Sequence, residues 1–139
     1  MNAVDTNVYV YTLDADEPAK QAKAIELLDR LAQTRADSVM VWQVAAELLS
    51  QLRKFESKGR LTSAEVEANF KRYRAMFPLR FPSEAIFQVS FDLRARFSIS
   101  HWDSMLVAAC KDAGVDRLYS EDMNAGASYD GVTIVNPFA

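Results

Sequence analysis

Strands that alternate with helices along nearly the whole chain predict an α/β protein, with a parallel sheet covered by helices on both faces. Three observations carry that expectation. Apolar runs of strand length recur at Ser38–Trp42, Arg117–Tyr119 and Val132–Val135. Between them lie stretches with helical length and period. No repeat, low-complexity segment or linker interrupts the 139 residues, so one domain over residues 1–139 is expected.

The elements follow in order. Val4 belongs to a short apolar start that meets Asp5-Thr6-Asn7, a strand end and helix cap. Residues 8–13 form a short first helix, broken by Asp14 to Pro18. An amphipathic helix then runs over residues 18–33, with Ala22, Ile25, Leu28 and Ala32 at helical spacing. After the Ser38–Trp42 strand comes a helix from Gln43 to Ser57, with Val44, Leu48, Leu52 and Phe55 on one face. Thr62 and Glu65 have the spacing of a capping box for a helix reaching Met76. Phe77 to Pro82 holds a brief strand bounded by prolines. Ser83 caps a helix to Phe97, and Ser100 caps another that ends at Gly114. Two last strands, at Arg117–Tyr119 and Val132–Val135, flank a polar loop.

Composition excludes several classes. Half of the residues are hydrophobic and a quarter charged, as in an ordinary globular protein. One cysteine, Cys110, allows no internal disulfide and reads as a small buried residue. There is no bilayer-length apolar stretch and no secretory signal, so a cytoplasmic location is expected. Four glycines build no phosphate-binding loop, and a single histidine, His101, rules out paired-histidine catalysis. His101 reads as a residue that caps or packs at its helix start. Trp42 and Trp102 read as core or rim packing, with base stacking the minority reading.

The carboxylates at strand ends are the groups to weigh, because ligands of open parallel sheets bind beyond the carboxyl ends of the strands. Asp5 ends the first strand. Glu47 lies one turn into the helix after the Ser38–Trp42 strand. Asp103 lies in the first turn of its helix, and Glu121 and Asp122 follow the Leu118 strand. Each has a plainer alternative: Asp5 as a helix cap, Asp103 as the partner of Ser100 in a cap, Asp122 as a turn residue before Asn124 and Gly126. Glu47 falls about 60° from Val44 on a helical wheel, at the border of the apolar stripe, and is expected to be turned away from bulk solvent. The combination outweighs the members. Charges about 4 Å apart repel by roughly 4 kcal/mol at an effective dielectric near 20, so clustered carboxylates take up protons or a cation. With no thiol set and one histidine, the donors are hard oxygens that suit Mg²⁺ or Mn²⁺. Carboxylate-held metal ions are a standard device for phosphodiester hydrolysis.

These residues resemble a known family. Val4-Asp5-Thr6-Asn7, Ala46-Glu47-Leu48-Leu49, His101-Trp102-Asp103-Ser104 through Ala109, and Leu118 through Asp122 are similar, in order and separation, to the motifs of PIN-domain proteins. The close of the chain, Ser120 to Gly126 and Gly131 to Phe138, resembles the VapC-type toxins of bacterial toxin–antitoxin pairs. The resemblance implies a five-strand parallel sheet and an endoribonuclease that uses Mg²⁺, or Mn²⁺. Asp5 and Asp103 would be the principal metal ligands, and Glu47 and Asp122 would complete the pocket directly or through water. Ser120 and Thr6 would support them, and Asn7 would position the first loop. RNA is the implied substrate, an antitoxin protein the implied partner, a homodimer the implied assembly, and no membrane is involved. Only four residues precede Asp5, so the first strand is expected to be short.

The net charge of −3 argues weakly against a polyanionic partner. Cations do cluster, at Arg53, Lys54, Lys58 and Arg60, at Lys71, Arg72 and Arg74, and at Arg94 and Arg96. Solvated helix faces are the plainer reading of each. Two other functions compete: a receiver-like phosphotransfer domain, and a PIN-like scaffold that binds RNA or protein without cutting. The first lacks a late lysine, since Lys111 is the last. The second gives no reason for four mutually repelling carboxylates.

Overall fold

The computed structural model describes residues 1–139. Its strands are β1 (Asn2–Val4), β2 (Met40–Val41), β3 (Leu79–Arg80), β4 (Arg117–Tyr119), β5 (Ser128–Tyr129) and β6 (Val132–Val135). Its helices are α1 (Thr6–Tyr11), α2 (Pro18–Ala32), α3 (Trp42–Ser57), α4 (Ser63–Arg74), α5 (Ile86–Arg96) and α6 (His101–Asp112). In space β1, β4 and β6 pair in parallel, and β5 adds an antiparallel edge to β6. The parallel pair β2–β3 continues the sheet on the other side of β1. A bridge between Asn2 and Ser38 makes the join, and the Val39 N–H donates to the Asn2 carbonyl at 2.9 Å. The expected five parallel strands are therefore present, in the order β3-β2-β1-β4-β6, and the polar loop contributes a sixth, short antiparallel strand.

Numbered as parallel strands alone, that order is 3-2-1-4-5. Receiver-like domains are wound 2-1-3-4-5, so the phosphotransfer alternative fails on topology. The sheet is buried on both faces, as parallel sheets with helical crossovers are. Ala3, Val4, Val39, Met40, Leu118 and Ile134 are all nearly inaccessible. β1 is short, as expected, and the Met1 ammonium pairs with Asp116 at 3.2 Å.

Several expectations needed correction. α1 starts at Thr6, because the Asp5 carboxylate accepts the Thr6 N–H and starts the helix early. On α2 the buried stripe is Ala24, Leu27, Leu28 and Leu31, while Ile25 is exposed. Both stripes have helical spacing, and the leucine-rich one buries more apolar surface. Trp42 opens α3 instead of closing a strand. Ser83 caps nothing: its N–H and its hydroxyl both donate to Asp112 at 2.8 Å, at the far end of α6, and α5 begins only at Ile86. The Thr62–Glu65 capping box is present with both bonds made. The Val44, Leu48 and Leu52 stripe of α3 is fully buried, with Phe55 packed against it. No helix is long and apolar enough to cross a membrane.

Candidate active site

The strand order reverses between β1 and β4, which opens a crevice at their carboxyl ends. Asp5 follows β1 there, and Ser120, Glu121 and Asp122 follow β4. The Asp5 N–H donates to the Tyr119 carbonyl at 2.8 Å, so the sheet ladder itself sets the position of the aspartate. One Asp5 carboxylate oxygen accepts the Thr6 N–H at 2.7 Å, and the other accepts the Ser120 hydroxyl at 2.8 Å. The Ser120 oxygen in turn accepts the Asp122 N–H at 3.1 Å, and Asn7 Nδ2 donates to the Asp122 carboxylate at 3.1 Å. Ser120 is fully buried and Asp5 only 8% exposed. Burial pushes the Asp5 carboxyl up to about 6, and the Glu47 and Asp122 carboxylates add to the rise. The hydrogen bonds from Ser120 and Thr6 oppose it without cancelling it.

A cleft of about 410 Å³ opens over Asp5, walled by Thr6, Asn7, Tyr11, Asp14, Glu47, Gln51 and Asp122 among others. Three of the four carboxylates singled out in the sequence, Asp5, Glu47 and Asp122, therefore meet. Asp103 is not in that wall. It sits half-buried in the first turn of α6, where its N–H donates to the Ser100 hydroxyl at 3.2 Å. Gln43 connects this turn to the cleft, since its Nε2 donates both to Glu47 Oε1 at 2.9 Å and to the Trp102 carbonyl at 3.3 Å. Glu47 corrects another expectation: it is exposed, and it reaches the cleft from the border of the α3 stripe without leaving solvent.

The pair Glu121 and Asp122, indistinguishable by chemistry alone, are separated by their partners. Glu121 is held by Lys20 at 2.7 Å, beside the Tyr11 hydroxyl. Burial raises its carboxyl, but the bonds to Lys20 and Tyr11 outweigh that and leave it lowered. Asp122 points into the cleft instead. Sequence reasoning missed Tyr11, Gln51 and Gln43. A signal for the first two existed, because Tyr11 is four residues after Asn7 and Gln51 four after Glu47, on the same helix faces. Gln43 had none, since its second partner belongs to a distant helix.

The donor set suits an oxygen-seeking divalent cation. Besides the carboxylates, Thr6 Oγ1 and Asn7 Oδ1 line the cleft, buried and without a hydrogen-bond partner. Such orphaned oxygens are satisfied by a cation or its water shell. No three Asp, Glu, His or Cys side chains stand close enough together to hold a metal ion by themselves. The arrangement is an anchored carboxylate with open neighbours, compatible with a hydrated ion and unlike a rigid structural metal site.

Cys110 is fully buried, as expected. The tryptophans are not core: Trp42 and Trp102 are exposed, and His101 stands edge-on to Trp102. Among the cations, Arg60, Lys71 and Arg96 are paired with Asp16, Glu67 and Asp130.

Comparison with known proteins agrees with this fold. No curated protein sequence matches the chain. A toxin–antitoxin complex from Klebsiella pneumoniae matches over 99% of this chain and 98% of its own, at 16% identity and a TM-score of 0.70. VapBC2 from Rickettsia felis, bound to a DNA fragment from its promoter, covers 96% of both chains at 13% identity and a TM-score of 0.71. VapC20 of Mycobacterium tuberculosis, described as a sarcin–ricin loop cleaving toxin, covers 88% of this chain and 90% of its own at 16% identity, with a TM-score of 0.61. At these identities the likeness is one of fold. The model of the PIN domain matches residues 3–126, and the chain belongs to the PIN-domain family.

Proposed function

We propose that this chain, as one PIN domain over residues 1–139, is a Mg²⁺-dependent endoribonuclease and the toxin of a VapBC-type toxin–antitoxin pair. The observation that carries the reading is Asp5: a buried carboxylate at the topological switch point, flanked by two further carboxylates and by unsatisfied oxygens. Likeness to solved VapC-type toxins supports the toxin assignment.

In this reading Asp5 and Asp103 hold the cation, and Glu47 and Asp122 complete the pocket directly or through water. Mn²⁺ would serve in place of Mg²⁺. The bound ion would polarise the scissile phosphodiester and lower the pKa of water at the site. Thr6 and Ser120 fix the rotamer of Asp5, and Asn7 fixes that of Asp122. Asp103 must close on the cleft from the α6 turn, and Gln43 already couples that turn to Glu47. The cytosolic setting, the antitoxin that blocks the site and the homodimer belong to the same proposal.

Expression of the chain alone is expected to slow growth, and co-expression of a small neighbouring gene to relieve it. Purified and partner-free, the protein should cut RNA in Mg²⁺ or Mn²⁺. A harmless chain without such a neighbour would end the toxin assignment. Metal-replete protein that leaves a broad RNA panel intact would favour the non-cleaving scaffold, the reading that the open spacing of the carboxylates supports.

A further inference from the structure

The chain has two tryptophans, and both stand in solvent beside the acidic cleft, Trp42 48% and Trp102 65% exposed. Paired exposed indoles mark a surface that something covers. They come from different helices, Trp42 from the first position of α3 and Trp102 from the first turn of α6. Gln43 ties the two helices through its bond to the Trp102 carbonyl. Between the indoles runs a groove bordered by Ala46 and Ser50, small enough to leave room for a planar group. The His101 ring braces Trp102 edge-on, with centroids 4.6 Å apart.

Two features identify the occupant. The first is continuity: Glu47 lines both this groove and the cleft over Asp5. The second is charge. Ala46 and Ser50 also border the next depression along α3, which is lined by Arg53 and Lys54. Neither cation takes part in any ion pair of the structure. The outer face of α3 thus presents aromatic faces, then small residues, then free positive charge. Single-stranded nucleic acid is recognised by that combination, bases stacking on the rings and phosphates meeting the cations.

We propose that the groove between Trp42 and Trp102 is a nucleobase subsite, which holds an unpaired RNA base next to the scissile position while Arg53 and Lys54 meet the backbone. This rests on the ribonuclease reading and names how that site selects single-stranded RNA.

Because these are the only tryptophans, intrinsic fluorescence reports on the groove directly. Asp5→Asn protein in Mg²⁺ is titrated with a single-stranded oligouridylate and with an abasic oligomer of equal length. The oligouridylate should quench the emission; the abasic oligomer should not, and should bind about tenfold more weakly. Trp102→Ala should lose about tenfold in affinity, and Trp102→Phe, which keeps a stacking face, about threefold or less. Equal binding of the abasic oligomer, or an unchanged Trp102→Ala, overturns the subsite. So does RNA affinity that survives both Trp42→Ala and Trp102→Ala while sedimentation shifts from dimer to monomer, which would make the groove a protein interface. Cleavage by the unsubstituted chain is followed in parallel. Cleavage that persists with tryptophans indifferent to RNA removes the subsite alone, whereas neither binding nor cleavage removes the ribonuclease reading with it.

Discussion

Asp5 is both the cap of α1 and the most desolvated carboxylate of the cleft, and the two roles act oppositely on its charge. The cap and the Ser120 bond favour the anion; burial and the neighbouring carboxylates disfavour it. The balance leaves its pKa at about 6 against 3.8 for the ordinary group, worth about 3 kcal/mol. The folded chain holds this proton more tightly than the unfolded one. The associated stability is therefore complete below about pH 4 and is lost as pH rises through about 6. Asp5→Asn should then be more stable than the natural chain above pH 6 in EDTA, by up to about 3 kcal/mol, with the gap closing toward pH 4. Urea unfolding at a series of pH values measures this, and a gap independent of pH would contradict it. The same variant should lose stabilisation by added Mg²⁺, which for the natural chain reaches about 2.7 kcal/mol at a hundredfold excess over Kd. The neighbours divide by partner. Ser120→Ala and Asp122→Asn should each lower cleavage by about 10- to 100-fold, the usual cost of disturbing the groups that orient metal ligands. Glu121→Gln, which loosens a half-buried pair with Lys20 outside the cleft wall, should stay within about twofold.

α3 joins core and site in one element. Its inner face, Val44, Leu48 and Leu52, is fully buried, while its border carries Glu47 and Gln51 into the cleft. Leu48→Ala should cost about 2–5 kcal/mol and reduce activity with it. Thr62→Ala, which removes the capping box of α4, should cost about 1 kcal/mol and leave cleavage unchanged, because no α4 residue lines the cleft. Thermal unfolding beside a cleavage assay separates the two cases. At this scale the sequence was legible where one periodic pattern had no rival, as on α3 and at the Thr62 cap. It misled on α2, where two stripes share the helical period, and at Ser83, whose partner Asp112 lies 29 residues away. Local pattern holds no information on such distant partners. It also misplaced Glu47, because a helical wheel gives direction but not the depth of the cleft beside it.

The whole molecule turns on the 3-2-1-4-5 winding, which places the reversal of strand order directly over Asp5 and Ser120. The five parallel strands and the strand-end carboxylates were readable in the sequence, and family resemblance supplied the grouping of the carboxylates. The edge strand β5 was hidden in an apparent polar loop. The strand order was not readable from periodicity, since two-residue strands such as β2 and β3 carry almost no pattern. Nor was the exposure of both tryptophans, which depends on α3 and α6 starting side by side. The net charge of −3 sits partly in the cleft, so on the proposed ribonuclease reading cation binding and RNA affinity should be coupled: screening by salt should weaken RNA binding while Mg²⁺ strengthens it. The most direct test of the acidic cleft as the reaction centre is single-turnover cleavage of RNA at pH 8, with Mg²⁺, with EDTA, and after Mg²⁺ is restored. The natural chain should cut only with the ion present and recover when it returns, and Asp5→Asn and Asp103→Asn should not cut at all. Cleavage that persists in EDTA, or in either asparagine variant, would contradict the account.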